Sequence, residues 1–98
     1  MVQARVELSF QPEIAAYIRE RVWHPSQRLR GTDDGGLVLT LDVCTDWALR
    51  TWILGFGPMV RVLSPDSLVR QVREDLARGL AQYGHAADPA DAKDTTPA

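Results

Sequence analysis

The chemically capable side chains of this chain are few. His24, Ser26 and Asp46 are the residue types of a hydrolytic triad, and Cys44 could serve as a nucleophile beside a histidine. Neither arrangement has sequence support, because Ser26 lies in no nucleophile-elbow motif and Cys44 ends an apolar run, as a small core filler does. Gly55-Phe56-Gly57 lacks the third glycine and the preceding strand of a dinucleotide loop, and no GxxxxGK[ST] phosphate loop occurs. Asp33 and Asp34 share a glycine-rich turn without the alternating ligands and closing glutamate of a calcium loop. A single cysteine excludes an internal disulfide and a multi-cysteine zinc site. The residues therefore point to a non-enzymatic protein with no cofactor and no metal site.

Binding chemistry is better represented. Trp23-His24-Pro25-Ser26-Gln27-Arg28 joins a flat apolar ring, hydrogen-bonding groups and a cation in one loop. His24, Gln27, Arg28 and Arg50 are the candidate effector-binding residues, the arginines because their planar fork matches phosphate and carboxylate. Trp23 and Trp47 are candidate interface residues, since tryptophan is enriched in subunit contacts. A plainer alternative stands beside each. Trp23 can plug the end of a helix, His24 and Gln27 can satisfy backbone groups, and Arg28 can be a solvated edge residue.

These residues must be held by elements that the sequence patterns indicate. Val2, Ala4, Val6, Leu8 and Phe10 alternate with polar residues, which predicts a strand with one buried face. Pro12 and Glu13 suit a first helical turn, and Ile14, Tyr17, Ile18 and Val22 recur at helical spacing, giving a helix to about Val22. Ser26 to Arg30 extends to Gly31 as a second strand, Asp33-Asp34-Gly35-Gly36 turns, and Leu37, Leu39, Leu41 and Val43 alternate in a third. Thr45 or Asp46 can cap a helix carrying Leu49, Trp52, Ile53 and Phe56, ended by Gly55 and Gly57. Met59 to Leu63 forms a fourth strand. Ser64-Pro65-Asp66 opens a last helix with the stripe Leu68, Val72, Leu76, Leu80 and Tyr83, stopped by Gly84.

The resulting order, β-α-β-β-α-β-α, is an α+β ferredoxin-like split with an additional C-terminal helix and a four-stranded antiparallel sheet. Phe10, Leu39, Trp52 and Leu76 are expected in the core. Such a sheet leaves its second and fourth strands at the edges, which favours self-association as a homodimer. Residues 1–84 form the domain, and residues 85–98, which include His85, form an acidic tail expected to be disordered.

Charge narrows the partners. Residues 1–84 hold ten arginines against ten acids, and the tail, with Lys93 against Asp88, Asp91 and Asp94, supplies the whole net charge of −2. A neutral body argues against a free-standing duplex-DNA binder. Strands one and three offer no outward aromatic, which argues against a base-stacking sheet. The absence of a long apolar run or an export signal suggests a cytoplasmic protein without a membrane partner.

Five segments in order carry a family likeness over about residues 4 to 83: Arg5-Val6-Glu7-Leu8-Ser9-Phe10, Trp23-His24-Pro25-Ser26-Gln27, Asp34-Gly35-Gly36, Trp52-Ile53-Leu54-Gly55-Phe56-Gly57 and Val60-Arg61-Val62-Leu63. The chain resembles the C-terminal extension domain, WCX, of bacterial transcriptional regulators that carry a WYL domain. That resemblance implies a regulatory and dimerisation module, attached to a WYL domain and a winged helix-turn-helix that reads promoter DNA. It also implies an effector that can be single-stranded nucleic acid. Two departures qualify it: the other two domains lie outside this chain, and Arg61 stands where the resemblance leads one to expect an acid. The remaining alternatives are a small-molecule-sensing regulatory domain of the same fold and a purely structural oligomerisation domain.

Overall fold

The computed structural model describes residues 3–84. The chain runs β1 (Gln3–Phe10), α1 (Pro12–Arg19), β2 (Arg28–Gly31), β3 (Leu37–Cys44), α2 (Trp47–Leu54), a 3-10 turn (Gly57–Met59), β4 (Val60–Ser64) and α3 (Asp66–Ala81). The four strands form one antiparallel sheet in the order β2-β3-β1-β4. This is the ferredoxin-like α+β arrangement with one more helix, and β2 and β4 are its edges.

Alternation decides which face is buried. Val6, Leu8 and Phe10 of β1, Leu37, Leu39 and Leu41 of β3 and Val62 of β4 join one apolar cluster with Ala15 and Ile18 of α1, Ile53 of α2, and Leu68 and Val72 of α3. All three helices therefore cover the same face of the sheet. Phe10 and Leu39 are buried as their strand positions require, whereas Trp52 is half-buried and packs against the cluster rather than inside it.

The turn between β2 and β3 shows why its residues are what they are. Gly35 adopts φ of 90°, a conformation that a Cβ disfavours. A Cβ on Gly36 would lie 2.6 Å from the Phe10 carbonyl oxygen, so the turn can approach β1 only with glycine there. Asp34 closes the turn by accepting from the Gly36 N–H at 2.9 Å and from the Thr32 hydroxyl.

Several boundaries differ from expectation. The first helix ends at Arg19 instead of Val22, and Val22 is 83% exposed. Its apolar stripe is cut short because the chain turns back to bring Trp23 over the helix end, where the indole Nε1–H donates to the Ile18 carbonyl at 3.1 Å. The second strand begins at Arg28, not Ser26, because Gln27 N–H donates to the His24 carbonyl in a turn. The fourth strand is Val60–Ser64, one residue later than expected, and Val2 lies outside the described residues. Ser64 does not cap the last helix. Its hydroxyl donates to Glu7 Oε1 at 3.2 Å, and Pro65 occupies the cap position without a side-chain bond.

Leu76 was expected in the core and is 52% exposed. A helix of sixteen residues spans about 24 Å, more than the five-residue strand β4 beside it can cover. Leu68 and Val72 in the first turns are buried, while Leu76, Leu80 and Tyr83 continue the stripe into solvent. Gly84 takes the positive φ of 67° that stops this segment. The acidic tail, 85–98, with His85, lies outside the described residues.

Candidate functional site

The loop from Glu20 to Gln27 has no regular structure of its own, so side chains must hold its backbone. Gln27 does most of this. Its Oε1 accepts from the backbone N–H groups of Trp23 and His24, and its Nε2 donates to the Arg21 carbonyl at 3.1 Å. Both ends of the amide are occupied by the loop itself.

His24 is tied down just as closely. Its Nδ1 accepts from the Ser26 N–H at 3.1 Å and lies 2.7 Å from the Ser26 hydroxyl. That hydroxyl oxygen in turn accepts from the Asp42 N–H of β3 at 2.9 Å, anchoring the loop to the sheet. These contacts fix the imidazole ring against the Ser26 backbone and hydroxyl.

Asp46 does not complete a triad with these residues. Its Oδ1 accepts from the Leu49 N–H at 2.9 Å, capping α2 in the way its position before an apolar helix predicts. Ser26 and His24 are structural partners, and no carboxylate orients the imidazole. Cys44 is half-buried at the end of β3. Among the described residues no group of three or more His, Cys, Asp or Glu side chains is placed to hold a metal ion.

Above the loop lies an aromatic cluster. Trp23 and Trp52 have ring centroids 5.3 Å apart, Trp52 meets Phe56 edge-on at 5.1 Å, Phe56 meets Phe10 at 5.3 Å, and Tyr17 flanks Trp23 at 5.8 Å. The Arg21 guanidinium sits 4.3 Å above the Tyr17 ring, a cation–π contact that closes the cluster on its solvent side. Where the rings stop, Trp23, His24, Leu41, Val43, Ala48, Leu49 and Trp52 line a solvent-open pocket of about 260 Å³. No charged residue lines it. A neutral, flat group matches that lining.

The four candidate effector residues do not converge. His24 and Gln27 share the loop, but Arg28 sits on β2 opposite Thr40, on the sheet face turned away from the helices. Arg50 faces α3, where its Nε donates to Asp75 Oδ2 at 3.2 Å with both side chains mostly buried. Asp75 is held below the ordinary carboxylate pKa chiefly by the Arg78 hydrogen bond at 2.7 Å, then by Gln71 and Arg50. Of the two interface candidates, Trp23 is half-buried in the aromatic cluster and Trp47 is 71% exposed at the start of α2. Sequence reasoning missed the cavity because Leu41 and Val43 on β3, and Ala48 and Leu49 on α2, carry no chemical signature. The spacing of Trp52 after Trp23 was the one available signal.

Among the described residues no helix is long and apolar enough to cross a membrane. The sequence is similar to Protein PafC of Mycobacterium tuberculosis, in strains CDC 1551 / Oshkosh and ATCC 25618 / H37Rv. In both cases the identity is 38% over 68 residues, which covers 68% of this chain and 21% of PafC. The chain thus spans about a fifth of the length of these relatives. The model of the WCX domain matches residues 3–80, from the first residue of β1 to the last turn of α3, and the chain belongs to the WCX domain family.

Proposed function

We propose that this domain is the regulatory and dimerisation module of a longer WYL-type bacterial transcriptional regulator, with promoter DNA read by a winged helix-turn-helix outside this chain. Its membership of the WCX family over residues 3–80 carries this reading, and the match to a fifth of PafC supports its being one module of a longer protein. The role is non-enzymatic and the setting cytoplasmic. His24 is among the residues lining the aromatic pocket, where the module contributes to effector sensing. Gln27 holds the loop that presents His24. Arg28 lies on the other sheet face, and Arg50 fixes α2 to α3. The homodimer forms through the exposed part of α3, where Leu76, Leu80 and Tyr83 continue an apolar stripe, and through Trp47.

One observation favours a second reading, a small-molecule sensor of the same fold: the pocket is lined by two indole rings and, among the described residues, by no carboxylate, lysine or arginine. Titrating the protein with short single-stranded DNA, free nucleosides and free amino acids, followed by tryptophan fluorescence, separates the two. A response to nucleic acid supports the first reading, a response to a free small molecule alone supports the second, and silence with all three leaves a structural oligomerisation module. Sedimentation velocity at tens of micromolar tests the dimer independently.

A further inference from the structure

The pocket beside the Trp23–His24 loop has walls that are fixed before any ligand arrives. Trp23 is held at both ends, its Nε1–H by the Ile18 carbonyl at 3.1 Å and its backbone N–H by Gln27, so its ring stays at the rim instead of folding inward. His24 is held through Nδ1 by Ser26, whose hydroxyl accepts from the Asp42 N–H of β3 at 2.9 Å. Trp52 rests edge-on against Phe56, which meets the buried Phe10 in the same way. The remaining lining residues, Leu41 and Val43 on β3 and Ala48 and Leu49 on α2, belong to regular elements. A ligand entering this pocket therefore has few side chains to order, a cost that otherwise weakens binding.

Size and lining restrict the occupant. A cavity of about 150 Å³ lined by Leu, Ile and Phe holds one benzene ring, whereas drug-sized ligands occupy roughly 300 to 1,000 Å³. At about 260 Å³ this pocket lies between the two, a size that suits two fused rings. Trp23 and Trp52, with centroids 5.3 Å apart and planes tilted by 55°, offer aromatic surfaces that favour offset or edge-on contact with a further aromatic ring. An anion would meet no lysine or arginine there. A cation would gain from the indole faces but would lose its water against four aliphatic side chains with no carboxylate to compensate. A purine or pyrimidine base carries polar atoms around its ring edges. The Trp23 N–H is already engaged by Ile18, which leaves His24 and Trp52 as the only other lining side chains with a polar atom, too few to replace a base's bonds to water.

We propose that this pocket binds an uncharged, fused two-ring aromatic compound with few polar atoms, for which indole is the probe. The proposal rests on the small-molecule reading above and deepens it by naming the ligand class. Ala48 gives access to the site experimentally: it lines the pocket yet is exposed on the first turn of α2, so a longer side chain there fills the pocket without entering the core. Trp47, its neighbour in sequence, is 71% exposed and does not line the pocket, which makes it an internal control for non-specific contact with ring compounds. A ligand of indole's size, at the efficiencies of small ligands, binds with a Kd on the order of 0.1 to 1 mM.

The test is a titration of the whole nitrogen-15-labelled chain with indole from ~0.05 to ~3 mM, a range that brackets this Kd, read at the tryptophan Nε1–H resonances in proton–nitrogen correlation spectra. The Trp23 and Trp52 signals are expected to shift along one binding curve while the Trp47 signal stays. Ala48→Leu should weaken binding at least ~10-fold by occupying the site, and Ala77→Leu, exposed on α3 outside the pocket, should stay within about twofold of wild type, with the backbone spectra confirming that both variants fold. Adenine and tetramethylammonium should each bind at least ~10-fold more weakly than indole, because the pocket cannot repay their lost hydration. No shift at Trp23 and Trp52, equal movement of Trp47, or undiminished binding by Ala48→Leu would overturn the site. Binding of adenine or tetramethylammonium as tightly as indole would overturn the ligand class while leaving the small-molecule reading standing, so the two failures are told apart.

Discussion

Gln27→Ala is the substitution that best tests how the Trp23–His24 loop is held. The amide makes three hydrogen bonds, two accepted from the Trp23 and His24 N–H groups and one donated to the Arg21 carbonyl. Each such bond contributes about 0.5 to 1.5 kcal/mol net, so the sum lies between roughly 1.5 and 4.5 kcal/mol. Arg21 is exposed and water can replace its bond, whereas Trp23 and His24 are half-buried, which places the loss near ~2 kcal/mol. For a domain of this size that corresponds to a fall in melting temperature of roughly 8 to 16 °C. Gln27→Glu is the informative companion: its carboxylate still accepts from both N–H groups but faces the Arg21 carbonyl with no hydrogen to give, so its loss should lie between wild type and alanine. Thermal melts by circular dichroism measure both, and the Trp23 emission maximum should move to the red in the alanine variant. A melting temperature within about 2 °C of wild type for Gln27→Ala would mean that the aromatic contacts alone hold the loop.

Leu39→Ala empties a fully buried position at the centre of the sheet and should cost about 2 to 5 kcal/mol in urea unfolding, while Leu80→Ala, 58% exposed, should cost under ~0.5 kcal/mol. Gly36→Ala drives a Cβ against the Phe10 carbonyl and should destabilise by about 1 to 3 kcal/mol, a loss that Gly79→Ala, with open space around it, should not show. Leu80→Asp should convert a dimer to a monomer in sedimentation velocity without lowering the melting temperature of the monomer. Asp34 is held below its ordinary pKa of 3.8 by the Thr32 hydroxyl and then by the Gly36 N–H, and Asp75 by Arg78 first. Because both folded values are depressed, their stabilisation is complete above about 3.8 and is lost as pH falls through the folded values. Asp34→Asn and Asp75→Asn should therefore each flatten the acid limb of the stability curve.

The strand order and the buried side of each strand were legible because alternation in Val6–Leu8–Phe10 and Leu37–Leu39–Leu41 fixes which face meets the helices. The Asp34-Gly35-Gly36 turn was legible for the same kind of reason, since local backbone demands select those residues. Helical stripes were less reliable. Tyr17 and Val22 continue the period of α1, and Leu76 and Leu80 that of α3, yet periodicity reports which residues share a side and not how far the neighbouring surface extends. The grouping of His24, Gln27, Arg28 and Arg50 reflected closeness in sequence. Register separates Arg28 from Gln27 by sending it to the opposite sheet face, and Arg50 is drawn to Asp75, a partner 25 positions away.

A domain with one sheet and three helices on the same side has two unlike surfaces, although exposed arginines without a carboxylate partner among the described residues occur on both, with Arg19, Arg70 and Arg73 on the helix side. The helix side carries the aromatic cluster and the uncharged cavity, with Arg50 and Arg78 both tied to Asp75. The bare side carries the unpaired Arg28, Arg30 and Arg61. Arg28 and Arg30 also lie on the β2 edge, whose four residues are all exposed, and charged side chains there oppose strand-to-strand pairing with another chain. Pairing of another strand with β2 is thus disfavoured, so the proposed dimer is expected at the exposed apolar end of α3, and Leu80→Asp tests that placement.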